Sequence, residues 1–290
     1  MKKRYFASTL VALFMVMFSM SAYGVEITAF DSAENMAQYL VGPGVAISNI
    51  SYNGATAASG YFTGGNASGI GIDEGVILTS GYAENVNGTT NTGDGVSTEL
   101  FTPGDANLNS LLESGEFTHD AAVLEFDFTS ISDAAYFNYV FASEEYNEYV
   151  GSFNDVFGFF INDVNYALIP GTQTPVSINN VNLYNNPDYY NDNDYGDYYY
   201  STGSTPYNFE YDGFTDVLVA SITGLNPNQT YHIKLAIADT KDEALDSGVF
   251  IQAGSFGNEP HPVDPVPEPA TMILLGSGLL GLAGMRRKMK

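Results

Sequence analysis

Residues 121–161 read AAVLEFDFTSISDAAYFNYVFASEEYNEYVGSFNDVFGFFI, and apolar residues alternate with polar ones through its first part. In that part Ala122, Leu124, Phe126 and Phe128 occupy every second position. A period of two predicts a strand with one buried face. The segment DVFGFFI at 155–161 is apolar on both faces, which predicts a strand covered from both sides.

The same alternation recurs later in the chain, where helical patterns are few. In TYHIKLAIAD, residues 230–239, the positions of Tyr231, Ile233, Leu235 and Ile237 predict a second half-buried strand. Short helices are predicted from a Ser32 cap to Val41 and from Asp105 onward. Short strands, 30 glycines and little helix predict an all-β fold. We expect a single β-sandwich or jelly-roll-like domain over residues 25–257.

The charge of the chain is strongly negative, with a formal value of -25. All but one of the 34 acidic residues precede Pro267, and after Arg4 that part has Lys234 and Lys241 as its basic side chains. Such a body repels nucleic-acid phosphates, so no nucleic-acid partner is expected, and divalent cations are its natural counterions. The alternative is that the acidic surface serves solubility alone. Cysteine is absent, which excludes disulfides and thiolate metal sites.

The first 24 residues have the pattern of a secretory signal peptide. A positive start at Lys2, Lys3 and Arg4 precedes the apolar run FASTLVALFMVMFSM, and Ala22-Tyr23-Gly24 supplies small residues at a cleavage site. We therefore expect export by the Sec machinery with cleavage after Gly24. The alternative is a retained N-terminal anchor.

The C-terminal end predicts a membrane anchor. Residues 258–269 hold five of the twelve prolines and predict a stiff, extended linker. The uncharged run at 270–285 predicts a transmembrane helix, although it is shorter than the ~20 residues that usually span a bilayer. The basic residues Arg286, Arg287 and Lys288 then act as a cytoplasmic stop, which leaves the acidic body outside. A buried core helix is the alternative.

The order of these C-terminal parts resembles the PEP-CTERM sorting signal of Gram-negative bacteria. Pro267-Glu268-Pro269, the glycine-rich apolar helix and the basic cluster together cover residues 267–290. The resemblance implies transient anchoring in the inner membrane and cleavage near the Pro-Glu-Pro motif by exosortase. The body would then reach the cell surface or extracellular matrix, often in species that make exopolysaccharide. An unprocessed membrane tether is the alternative.

The body resembles a second family, the choice-of-anchor L domain. The segments that carry the resemblance are GIDEGVILTSG, the 121–161 segment quoted above and LAIADTKDEALDSGVFIQAGSF. The family implies a surface-exposed β domain joined to a sorting signal, and it implies no reaction. A Tyr/Asn/Asp-rich insertion at about 184–212 interrupts the match. Its core at 184–200 predicts an exposed loop or hairpin tip, or alternatively a patch on which carbohydrate stacks.

The residues favour a binding or structural role over catalysis. Of the three histidines, His232 lies on an outward strand face and His261 in the linker, which leaves His119 for any Ser-His-Asp triad. We interpret the chain as a non-catalytic surface or matrix protein and expect an association with polysaccharide, exopolysaccharide or biofilm. A purely structural coat component is a third class. The alternative function is a secreted carbohydrate-active enzyme that uses a carboxylate pair.

Two adjacent glutamates within FASEEY raise the question of a metal. Neighbouring residues of a strand point to opposite faces, so either Glu144 or Glu145 must face the buried side or end the strand. A buried, unpaired carboxylate is costly, and Ca²⁺ binds oxygen ligands without His or Cys. We predict a stabilising calcium ion held by some of Glu144, Glu145, Asp155, Asp239 and Asp246. The alternative is a solvated loop after Ser143 with Lys241 nearby.

Overall fold

The computed structural model describes residues 24–88, 90–93, 95–195 and 205–263. Two antiparallel β-sheets form within these residues. The strands, in chain order, are β1 (Glu26–Ala29), β2 (Ala46–Asn53), β3 (Ser59–Thr63), β4 (Gly75–Thr79), β5 (Thr118–Thr129), β6 (Ala134–Ser143), β7 (Val156–Ile161), β8 (Val164–Asn165), β9 (Tyr190–Asp192), β10 (Gly213–Thr215), β11 (Leu218–Thr223), β12 (Thr230–Thr240) and β13 (Ser247–Gln252).

The larger sheet has eight strands in the order β1-β3-β4-β13-β6-β10-β9, and β11 pairs with the first part of β6. The smaller sheet has the order β2-β5-β12-β7-β8. The long strand β6 therefore pairs with β13 on one side and with both β10 and β11 on the other. Most neighbours are distant in sequence, which is typical of a sandwich. The expected all-β sandwich fold is confirmed.

The main core lies between the two sheets. Phe137 of β6 packs against Phe159 of β7 at 5.0 Å between ring centroids, and Tyr139 packs against Phe157 at 5.1 Å. The predicted alternation is confirmed in β5 and β12, where the apolar residues named above are all buried. Each sheet thus contributes one apolar face to a shared interior, which is the main stabilising feature of the sandwich.

The outer faces of both sheets are also partly covered. Val140 and Ala142 of β6 pack with Phe62, Phe214 and Phe250 on the outer side of the larger sheet. On the smaller sheet, Val156 and Phe160 pack with Leu108 in a third apolar cluster. All six residues of β7 are buried, so the prediction of a strand covered from both sides is confirmed.

Within the described ranges, three short α-helices lie outside the sheets: α1 (Ala33–Leu40), α2 (Gly65–Ser68) and α3 (Ala106–Asn109). Helix α1 begins as predicted, because Ser32 accepts a hydrogen bond from the Asn35 backbone N–H at 3.1 Å. Asp105 caps α3, but this helix is a single turn, and the following residues continue in tighter i to i-3 turns. The helix predicted from Asp105 is therefore shorter than the sequence pattern suggested.

Loss of the α1 cap should have a moderate effect on stability. In residues 25–257 expressed alone, Ser32→Ala leaves the Asn35 N–H without its acceptor and is expected to lower the unfolding free energy by about 1 kcal/mol. Ser32→Asp should retain wild-type stability, since Asp is an equally good cap. Urea unfolding followed by far-UV circular dichroism measures both variants. Equal losses in Ser32→Ala and Ser32→Asp would contradict the role of the cap.

Several predicted segments lie outside the described residues: the signal peptide at 1–24 apart from Gly24, the linker after residue 263, the transmembrane helix at 270–285, and both sorting elements, Pro267-Glu268-Pro269 and Arg286-Arg287-Lys288. Among the residues that are described, no helix has the length and apolar character needed to cross a membrane.

Part of the Tyr/Asn/Asp-rich segment pairs with the larger sheet. Residues Tyr190–Asp192 form the edge strand β9, which pairs with β10 in a hairpin arrangement. Tyr184 and Tyr195 are exposed, in agreement with a loop or hairpin tip, whereas Asn193 and Asp194 are buried. The segment therefore contributes both an exposed surface and buried polar side chains.

Candidate functional site

Six buried carboxyl groups gather at one end of the sandwich. At this end β6 and β12 finish, and β7, β10 and β13 begin. We call it the acidic end and define it by six side chains, each 2% exposed or less: Glu144, Glu145, Asp155, Asp212, Asp239 and Asp246. Asp120 and Asp194 are also buried and interact electrostatically with members of this set. Carboxyl groups are rarely buried to this degree without a cationic partner, so the acidic end is the candidate site.

The strand ends position these side chains. Asp155, Asp212 and Asp246 each stand one residue before a strand, at the starts of β7, β10 and β13. The backbone N–H of Glu144 donates to the Asp246 carbonyl oxygen at 3.1 Å, which continues the ladder of β6 and β13 past Ser143. Gly81 lies directly against the Asp246 carboxylate, because a Cβ at this glycine would fall 1.7 Å from Asp246 Oδ2.

The two adjacent glutamates belong to different groups. Glu145 interacts electrostatically with Asp155, while Glu144 interacts with Asp212 and Glu210. The two glutamates thus diverge, as neighbours along a strand direction do, and both lie just beyond the end of β6. We call Glu145, Asp155 and Asp239 the inner acidic group, and Glu144, Glu210 and Asp212 the outer acidic group.

The inner acidic group contains a contact between two carboxyl groups. Asp155 accepts hydrogen bonds from the Thr240 backbone N–H and the Ser247 hydroxyl, both at 2.8 Å. Its carboxyl group also lies in hydrogen-bonding contact with that of Asp239. Among the described residues, no N–H or O–H group donates a well-formed hydrogen bond to the carboxylate oxygens of Asp239 or Glu145. The inner group is therefore incompletely satisfied.

The outer acidic group has the same character. Asn91 donates to Asp212 Oδ1 at 2.6 Å, and Thr92 donates through its hydroxyl to Glu210 at 3.2 Å. The carboxyl group of Asp212 lies in hydrogen-bonding contact with that of Glu144. Within the described part of the chain, both oxygens of Glu144 and Oδ2 of Asp212 have no well-formed hydrogen bond from a donor group. A second pair of carboxyl groups thus meets without a bridging donor.

Burial raises the pKa of every member of the acidic end. It raises the pKa of Glu145 to about 10, with Asp155 adding to the effect, and the pKa of Asp212 to about 9. The pKa values of Asp155 and Asp246 rise to about 7, opposed by their hydrogen bonds from Ser247 and Thr98. Burial also raises the pKa values of Glu144 and Asp239 well above their usual range. The groups favour their neutral forms unless a cation joins them.

Neither lysine of the body neutralises this charge. Lys234 pairs with Asp105 at 2.8 Å, and Lys241 pairs with Glu116 at 2.7 Å. The solvated-loop alternative requires glutamates that face water, but Glu144 and Glu145 are 1% and 0% exposed. The solvated part of that alternative is therefore wrong, although a loop does follow Ser143 and Lys241 Nζ donates to the Ser152 carbonyl oxygen within it.

The predicted metal ligands do not form one compact set. Asp155 contacts Asp239 and interacts electrostatically with Glu145, whereas Glu144 diverges to the outer group. Asp246 interacts with Asp239 and accepts a backbone hydrogen bond from Glu144. In the described ranges, no three His, Asp or Glu side chains are arranged as ready ligands of one ion. Any ion here would need backbone carbonyls, hydroxyls or water among its ligands, which calcium accepts.

Sequence reasoning missed Asp212, which was assigned to the Tyr/Asn/Asp-rich insertion. A local signal was present, because an aspartate directly precedes the apolar strand Gly213–Thr215, as Asp155 and Asp246 precede theirs. The contact with Glu144 joins residues 68 positions apart and depends on the pairing of β10 with β6. No local pattern specifies that pairing.

Comparison with known proteins places this body in a family. No curated protein and no solved structure matches the chain. The model of the PEP-CTERM protein-sorting motif matches residues 265–288, and this motif marks the chain for membrane-associated export, processing by exosortase and delivery to the cell surface. The model of the choice-of-anchor L domain matches residues 25–257, which include both described sheets and the acidic end. The chain therefore belongs to the choice-of-anchor L domain family.

Proposed function

We propose that this chain is a non-catalytic protein of the cell surface or extracellular matrix of a Gram-negative bacterium, where it associates with exopolysaccharide in a biofilm. Export and surface sorting follow from the C-terminal motif. The association with polysaccharide rests mainly on one observation, the exposure of Tyr184 on a hydrogen-bonded loop described below.

The arrangement of the carboxyl groups supports a role without turnover. A glycosidase needs two carboxyl groups that face each other across an open cleft. The pairs at the acidic end are closed to solvent, so a sugar could not reach them without unfolding that end. A cleft of about 350 Å³ beside Tyr82 carries a single carboxylate, Glu84, among its lining residues.

Tyr184 offers a flat surface on a fixed loop. Its side chain is 71% exposed. Its backbone N–H donates to the side chain of Asn182 at 2.9 Å, and Asn182 is fully buried and donates to the Ile178 carbonyl at 2.8 Å. Asn185 fixes the other side of the turn through the Asn179 carbonyl. The backbone on both sides of the ring is therefore fixed, so a sugar that stacks on it needs to order only the side-chain torsions of Tyr184.

The proposal is tested with residues 25–257 and exopolysaccharide purified from the host. The protein is expected to co-sediment with the polysaccharide, and Tyr184→Ala should weaken binding roughly two- to tenfold through the loss of stacking. Phe101→Ala is the matched control, because Phe101 is also 71% exposed but lies outside the Tyr/Asn/Asp-rich segment.

Two results would contradict the proposal. Equal losses in Tyr184→Ala and Phe101→Ala, or no co-sedimentation at all, would argue against a polysaccharide partner at this loop. Release of reducing sugars from the polysaccharide during the same incubation would instead support the alternative of a secreted carbohydrate-active enzyme.

A further inference from the structure

We propose that the inner acidic group binds a structural calcium ion, with Asp155 and Asp239 as its first carboxylate ligands and Glu145 as the third. The ion would lie between the two sheets, where β7 begins and β12 ends. This inference is independent of any polysaccharide partner.

The oxygens of the group are available for an ion. Asp239 and Glu145 are both 0% exposed, and among the described residues none of their four carboxylate oxygens has a well-formed hydrogen bond. The Ser80 hydroxyl interacts with Asp239, but it donates its proton to the Ser247 carbonyl oxygen at 3.3 Å. Buried polar atoms without partners are uncommon in native proteins and often mark a missing water or ion.

A proton alone satisfies this arrangement poorly. One shared proton can join the carboxyl groups of Asp155 and Asp239, but it leaves the other Asp239 oxygen and both Glu145 oxygens in a dry environment. A divalent cation can attract all three carboxylates at once. It also replaces the repulsion between Glu145 and Asp155 with two attractive contacts.

The ligand chemistry favours calcium over other divalent ions. The group offers hard oxygen ligands, with hydroxyls of Ser80 and Ser247 beside the carboxylates. Zinc prefers His and Cys, and magnesium retains several waters that a buried position cannot accommodate. Calcium accepts six to eight oxygens in flexible geometry. That flexibility suits a group whose three carboxylates are not already arranged around one point in the described part of the chain.

The test uses the full-length chain purified in detergent and stripped with EDTA. Calcium at about a hundred times its dissociation constant is expected to raise the melting temperature by about 5–10 °C. Mg²⁺ at the same concentration, and NaCl at the same ionic strength, should have much smaller effects. Terbium provides a second measurement, because it substitutes for calcium and is sensitised by tyrosine in a chain without tryptophan. Added calcium should quench the terbium luminescence.

Isosteric variants locate the ion. Asp239→Asn and Glu145→Gln should lose most of the calcium-induced shift and of the terbium signal, whereas Glu144→Gln, the neighbouring outer residue, should retain both. The inference is overturned if wild type shows no calcium-specific shift, or if Asp239→Asn keeps the full shift and signal. Loss of both in Glu144→Gln, with both retained in Glu145→Gln, would place the ion at the outer group and also overturn the assignment.

Discussion

Replacement of Pro267, Glu268 and Pro269 by alanine is expected to leave the protein in the inner membrane of a host that has exosortase. The motif belongs to the matched sorting signal at residues 265–288. Without it, the enzyme loses the peptide that it recognises, while the apolar run at 270–285 and the basic stop are still expected to hold the chain in the bilayer. Fractionation and immunoblotting should show a membrane-bound precursor and no shorter surface form.

A control with matched composition lies in the same linker. Glu259, Pro260 and Pro262 provide one glutamate and two prolines upstream of the motif. Their replacement by alanine should leave processing unchanged, and a host without exosortase should retain even the wild-type chain in its membrane. Normal surface display of the Pro267/Glu268/Pro269 variant would show that the motif does not direct sorting in this protein.

Local patterns predicted the strands well because the alternation of apolar and polar residues within a strand shows which of its faces is buried. The alternation around Phe126 and around Leu235 reflects one face turned to the shared core, and both strands form where expected. The separation of Glu144 from Glu145 follows from the same rule. The burial of both glutamates could not be predicted from this rule, because it depends on other segments of the chain that cover the two side chains.

Local patterns could not predict the contacts between strands that are distant in sequence. The outer acidic group needs β10 beside β6, and the inner group needs the ends of β7 and β12 to meet the start of β13. These contacts join segments about 70 to 100 residues apart, and strand order within a sheet is decided by tertiary packing. The candidate residues could therefore be named from the sequence, but their division into two groups could not.

The contact between Asp212 and Glu144 leads to a prediction about pH. Burial raises the pKa of Asp212 to about 9, with Asp194 and Glu148 adding to the effect and Asn91 opposing it. In the unfolded chain the same group titrates near 4. When folding raises the pKa of a carboxyl group, the resulting stability is fully present below the pKa of the group in the unfolded chain. It is lost as the pH rises to the pKa of the group in the folded protein. Stability should therefore fall between about pH 4 and pH 9.

Asp212→Asn should remove this loss. The asparagine keeps the acceptor for Asn91 and places an amide donor beside the Glu144 carboxylate, so a contact between two acids becomes an ordinary hydrogen bond. We expect the unfolding free energy of the variant to match that of wild type near pH 4 and to exceed it by a growing amount up to pH 9. Each unit of pKa difference corresponds to about 1.36 kcal/mol, so at pH 9 the unfolding free energy of the variant should exceed that of wild type by on the order of 5 kcal/mol.

Urea unfolding of residues 25–257 in EDTA, at steps from pH 4 to pH 9, measures the difference. EDTA removes any cation that would mask the repulsion between the carboxylates. Asp188→Asn is the control, because Asp188 is exposed and its substitution should change the unfolding free energy by less than about 0.5 kcal/mol throughout. A constant difference between Asp212→Asn and wild type, or one that shrinks as the pH rises, would mean that Asp212 is ionised in the folded protein. The proton of the pair would then lie on Glu144, whose pKa burial and Asp212 both raise, and the contact between the two carboxyl groups would hold a single negative charge.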